Sequence, residues 1–261
     1  MAISVVASSS MASQFAATSI TSAYNVTTGD AIFVGASTYS VVTVSAATYN
    51  SETMLSGNGV KLFDGGNDSG TGIKIYGFLL LNPDTGNNNV VLTWSASCDS
   101  CFGVEELLGV DQTIGSAYRT VPSIALGGGG STDPTVTVAA SQSDDLVIDV
   151  LASFSTTITI DGGQSNGIEV DNLFGGTWSI GISTKAATGA STVMSWTSNA
   201  SPEKYWQHCA VALVPAAGGG GGAAKVFIVG DLSGIGSPGR FFKDRLQRMI
   251  KAIHFYRLDP T

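Results

Sequence analysis

Two short clusters carry the residue types best suited to metal or redox chemistry. Cys98-Asp99-Ser100-Cys101 has CxxC spacing, and His208-Cys209 supplies two further soft ligands. Zinc needs four such groups to converge tetrahedrally, and an adjacent His-Cys pair lacks finger spacing. A loop disulfide between Cys98 and Cys101 or free thiols in a turn are the other readings, and three cysteines make no disulfide framework. The run Asp64-Gly65-Gly66-Asn67-Asp68-Ser69-Gly70 gathers several oxygen ligands that calcium could use. It lacks the spacing and closing Glu of an EF-hand, and an Asx-rich turn explains the same residues.

Carboxylates for acid–base work are present as Glu105-Glu106, with Asp111 just beyond. A glycosidase needs two carboxylates facing each other across roughly 5–10 Å. Consecutive strand residues point to opposite faces, so Glu105 and Glu106 do not form such a pair. A solvated or turn-bonding carboxylate is the expected role. His208 and His254 are the only histidines, and neither accompanies a nucleophile elbow. No glycine-rich run is followed by Lys and Ser or Thr, which removes the P-loop reading. The expectation is a protein that is not an enzyme and takes no metal or cofactor.

The elements that hold these residues read as β-structure. Charged residues are only 12% of the chain, about half the roughly 25% usual for a soluble domain. Glycine is abundant, with 33 residues, and Ser, Thr, Ala and Val fill much of the rest. Such a mixture favours short strands and tight turns over helices. Strands are expected at 30–37, 39–46, 53–62, 71–82, 89–97, 102–109, 119–126, 134–140, 145–154, 156–161, 176–184, 191–198 and 205–214. Val90, Leu92 and Trp94 alternate onto one face, as do Trp178, Ile180 and Ile182. Ala31–Gly35 and Leu146–Leu151 are unbroken apolar runs, the pattern of strands covered on both sides.

An internal echo divides the chain into two halves. The segment 85–97 resembles 188–200, with Leu92 and Trp94 matching Met194 and Trp196. Upstream, 30–37 resembles 145–153; downstream, 102–110 resembles 208–216. The predicted architecture is an all-β sandwich or jelly roll with pseudo-repeated halves, joined through the glycine run at 127–130.

A second glycine run marks the end of the sandwich, giving a body at 1–217, a linker at 218–224 and a tail at 225–261. Residues 1–224 hold 5 basic and 17 acidic side chains, whereas 225–261 hold 7 basic and 3 acidic. The acidic body argues against nucleic acid binding through the sandwich. In the tail, KVFIVG reads as a strand, and Ser237-Pro238 starts a helix. Phe242, Leu246, Met249, Ile250 and Ile253 share one face of that helix, while Arg245 and Arg248 flank it with other basic residues. This amphipathic element is expected to dock on a partner protein or on further copies of the chain. The alternatives are its own sandwich, a membrane surface or nucleic acid. No stretch reaches the roughly 18 apolar residues of a membrane span. The N-terminus has no basic n-region or unbroken apolar core, so no secretion signal is expected and synthesis in a host cytoplasm is inferred. Asn25, Asn67 and Asn199 sit in glycosylation triplets that are then coincidental.

The run GVEELLGVDQT (103–113), the Thr-Gly turn with its Trp strand, and AVALVPAAGGGGG (210–222) are similar to a diffuse group of bacteriophage-type virion proteins with concanavalin-like or jelly-roll sandwiches. The resemblance spans about 29–222. It implies a virion location, in capsid decoration or a tail fibre, with other virion proteins as partners. It transfers no catalytic residues, since the Glu-x-Asp-x-Glu strand of concanavalin-like glucanases is absent. A carbohydrate-binding module is the alternative, with Tyr118, Trp178 or Tyr205 stacking on a glycan. Burial of Trp94, Trp178 and Trp196 in the core would weigh against it.

Overall fold

A computed structural model describes residues 2–217 apart from 10, 66–71, 120–121, 128–132, 156, 177 and 199–204. The chain divides into two units, Met1–Gly218 and Gly219–Thr261. The second unit, with Phe242, Arg245, Leu246, Arg248, Met249, Ile250 and Ile253, which the sequence predicts to dock, lies outside the described residues, as does most of the calcium-type loop after Gly65.

The body is all-β, and its strand pairs are antiparallel. The first half supplies β1 (Ser4–Ser8), β2 (Ala12–Val26), β3 (Ala31–Tyr39), β4 (Val44–Tyr49), β5 (Glu52–Thr53), β6 (Gly59–Asp64), β7 (Ile73–Leu81) and β8 (Gly86–Leu108). The second supplies β9 (Ser123–Gly127), β10 (Thr135–Val138), β11 (Leu146–Ser153), β12 (Ile158–Ile160), β13 (Ser165–Asn172), β14 (Trp178–Ala186), β15 (Thr192–Ser198) and β16 (Trp206–Leu213). A single helical turn, α1 (Leu173–Gly176), precedes β14.

Three expectations are corrected. The predicted strands 89–97 and 102–109 are one 23-residue strand, β8. Its early part pairs with β2 and β4, where Leu92 meets both Ile20 and Ala47. Its later part pairs with β3 and β1, so β8 belongs to both walls of a nearly closed, barrel-like sheet. The predicted strand 39–46 starts later, at Val44, and 53–62 is split into β5 and β6. Finally, β1, β2 and β13 went unpredicted because small and polar residues there hide the alternation that apolar side chains would reveal.

The continuous apolar runs are sandwiched, as their pattern requires. Ile32, Val34 and Ala36 of β3 face a core shared with Tyr49, Phe78, Leu92 and Trp94. Ala31 and Phe33, on the other face, join Ile148, Val150, Ile182 and Val211 of the second half. The inner sheets approach closely at Gly35, where a Cβ would lie 2.7 Å from both Ile182 Cδ1 and Val150 Cγ2. A third layer of contacts covers the far face of β11, where Val147 and Ala212 meet Val138 and Met194.

The echo segments occupy corresponding ladder positions. β3 runs between β7 and β8, and β11 runs between β14 and β16. Val34 pairs with Phe78 and Asp149 pairs with Ser183; Ala36 pairs with Phe102 and Leu151 with His208.

Candidate functional site

The two glutamates of β8 take opposite directions and separate roles. Glu106 is fully buried and accepts the backbone N–H groups of Thr27 (3.0 Å), Thr28 (2.8 Å) and Gly29 (2.5 Å) on Oε1. Burial raises its pKa, but these amides outweigh burial and hold it below the ordinary glutamate value. It is the turn-bonding carboxylate that the sequence suggests. Glu105 is also fully buried, against the expectation of a solvated group. Its Oε2 accepts Ser8 Oγ at 2.5 Å, while Oε1 has no partner and presses on Gly167, where a Cβ would lie 1.9 Å away. Burial pushes its pKa up to about 7, and the Ser8 hydroxyl opposes that rise.

The cysteines carry no site. Cys98 and Cys101 are in strand β8, not in a turn, and face different cores. All three cysteines are free and buried. Burial pushes the Cys98 thiol up to about 11 and raises Cys101 and Cys209 further, which suppresses thiolate chemistry. Among the described residues no three His, Cys, Asp or Glu side chains gather as a metal site. Asp64, first residue of the calcium-type run, has its carboxylate oxygens on Lys61 (2.7 Å) and Lys74 (2.6 Å).

His208 does find a carboxylate, one that the sequence did not single out. Asp149 Oδ2 meets His208 Nε2 at 2.8 Å and accepts Trp196 Nε1 at 2.9 Å. Its Oδ1 accepts both N–H and Oγ–H of Ser183 at 2.8 Å. The grouping contains Ser, His and Asp, but Ser183 donates to Asp149 and not to the histidine. His208, Asp149, Ser183 and Trp196 are all at 0% exposure, so substrate has no route to them. The geometry is a closed polar fastening and not a nucleophile relay.

The surface shows a different chemistry. Phe15, Tyr39, Phe154, Phe174 and Trp178 line a pocket of about 130 Å³ together with Asp99. Phe15 and Tyr39 are 67% and 47% exposed, while Trp178 forms the buried floor at 2%. The elements that bring them together are β2, β3, the turn after β11, α1 and the start of β14. No protein-family model matches the chain, and comparison with curated proteins and with solved structures finds no significant match. The site must therefore be understood from its own geometry. Of the three residues expected to meet a glycan, Trp178 lines this pocket, Tyr118 packs partly buried on the inner core, and Tyr205 is exposed outside the pocket lining. Trp94, Trp178 and Trp196 are all buried. Phe15, Tyr39, Phe154 and Phe174 were missed because nothing in their spacing links them. The sole local signal is an exposed-type Phe within the Ser/Ala-rich run of β2.

Proposed function

We propose that the protein is a structural, non-catalytic component of a virus particle, a decoration or fibre sandwich of the jelly-roll or concanavalin-like kind. Its basic C-terminal segment is the anchor, docking through Phe242, Leu246, Met249, Ile250 and Ile253, with Arg245 and Arg248 beside them, onto other virion proteins or copies of itself. The observation that supports this reading best is the inward commitment of the body's reactive groups. Glu106 is bonded to the turn at Thr27–Gly29, and Asp149 to His208, Ser183 and Trp196. An acidic body with a basic tail suits particle attachment without nucleic acid binding through the sandwich. No helix among the described residues is long and apolar enough to cross a membrane.

The test is the molar mass in solution, by light scattering, of the full chain, of a 1–217 truncation and of Leu246→Asp. A defined oligomer for the full chain and folded monomers for both variants support the anchor. A monomeric full chain, or loss of sandwich folding in Leu246→Asp, overturns it. The second reading, a carbohydrate-binding module, has the exposed rings of Phe15 and Tyr39 in its favour and the burial of Trp94, Trp178 and Trp196 against it.

A further inference from the structure

The aromatic pocket has a shape and a charge that select among ligands. Its rings touch in one continuous series. Phe15 meets Phe174 at 6.1 Å and 47°, and Phe174 meets Trp178 at 5.3 Å and 37°. Trp178 meets Tyr39 at 6.2 Å and 58°, and Tyr39 meets Phe154 at 5.3 Å and 89°. No successive pair is parallel, so the rings stand as walls around a small space. A flat platform for the face of a sugar would need rings closer to coplanar. Polar groups in the lining are few: the Asp99 carboxylate, the Tyr39 hydroxyl and the Trp178 indole N–H, with no side-chain amide, guanidinium or ammonium group among the described residues.

Several aromatic rings gathered beside one carboxylate are the chemistry of cation recognition. Each ring face carries the negative lobe of its quadrupole, and attraction to a cation grows when water is excluded. Asp99 Oδ1 accepts the Ala16 amide at 2.9 Å, which orients the carboxylate. Among the described residues no hydrogen bond holds its Oδ2.

The backbone adds an independent observation. Among the described residues five non-glycine residues adopt positive φ, and Asn50, Ser51 and Asn82 are turn types that tolerate it. The other two are Ala16 (φ 46°) and Phe174 (φ 50°), residue types that rarely adopt the left-handed region. Phe174 lines this pocket, and Ala16 follows Phe15 and donates its amide to Asp99, two of its lining residues. Ala16 sits in the irregular stretch of β2, where the register shifts and leaves Phe15 projecting, and Phe174 is itself a wall. Strain of this kind concentrates where a side chain must be held in one place.

We propose that this pocket binds an alkylammonium cation, seated against the faces of Phe15, Tyr39, Phe154, Phe174 and Trp178 with Asp99 as its counter-charge. The inference goes beyond the particle-protein reading and does not rest on it. The headgroup is identified by chemistry, as a methylated ammonium small enough for about 130 Å³.

Calorimetric titration of the full chain with choline, with 3,3-dimethyl-1-butanol (its uncharged carbon isostere) and with glucose tests the proposal. Saturable choline binding, at least about tenfold tighter than the isostere, is expected. Asp99→Asn is expected to weaken choline about fivefold or more, and Phe15→Ala, at a 67% exposed position, to weaken it without changing the melting temperature. No saturation by choline, equal binding of the isostere, preferential binding of glucose, or unchanged binding by both variants each overturns it.

Discussion

The two halves of the body fill corresponding positions with opposite chemistry. In the first half, Val34, Phe78, Trp94 and Phe102 belong to one hydrophobic cluster, whose polar atoms are hydroxyls of tyrosines and the Trp94 indole nitrogen. In the second, the matching places hold Asp149, Ser183, Trp196 and His208, a carboxylate with its donors. The exchange runs the other way elsewhere in the frame. Glu105 pairs with Phe33 where Val211 pairs with Ile148, so the first half buries a carboxyl where the second buries a valine. One backbone frame thus tolerates either filling. Removal of a single partner from the polar version leaves buried donors stranded, whereas an apolar core only loses contacts.

The largest expected effect breaks the polar fastening. Asp149→Ala leaves Ser183, Trp196 and His208 without their acceptor and should cost about 3–5 kcal/mol, read as a fall in denaturation midpoint. A loss below about 1 kcal/mol would mean that the network is incidental and the two fillings equivalent.

The next effect depends on pH. The Glu105 carboxyl is held at about 7 by burial, above its ordinary 4.5, so the folded state holds the proton more tightly than the unfolded chain. Its contribution is whole below the unfolded value and is lost as pH rises through about 7. Glu105→Gln should therefore stabilise the protein by about 2–3 kcal/mol at pH 9 and change little at pH 4.5. Chemical denaturation of both proteins across that range reads the difference, and a constant offset would place the carboxyl in a solvated environment instead.

The smallest effect sharpens the comparison most. Asp149→Val with His208→Phe writes the first half's apolar filling into the second. The pair should recover only part of the Asp149→Ala loss, because His208 no longer needs an acceptor while Ser183 and Trp196 still do. Stability as poor as that of the single variant would show that the two frames differ more than their registers suggest.

Much of this frame was legible from residue patterns. The unbroken runs at Ala31 and Leu146 announced strands covered on both faces, and the echoes matched segments that now sit on corresponding ladders. The equivalence of Trp94 and Trp196 survives down to their cores. The merging of two predicted strands into β8 was hidden, because Ser95, Ser97 and Asp99 resemble turn residues although their backbone stays paired or extended. Glu105 looked solvated because burial of a charge has no signature in one sequence. The aromatic pocket was illegible for a topological reason: Phe15, Tyr39, Asp99, Phe154 and Trp178 are neighbours only after β2, β3, β8 and β14 have found their places.

The length of β8 has a consequence for the order in which the body can form. β1, β2, β3 and β4 all pair with this one strand, which is the last of its half in the chain. During synthesis their open edges wait for residues 86–108 to emerge, and β11 waits likewise for β16. Contacts of such long range close slowly and leave edges exposed meanwhile. Each half is therefore a lock whose key is made last, and crowding on the ribosome is the stage at which this protein is most open to mispairing.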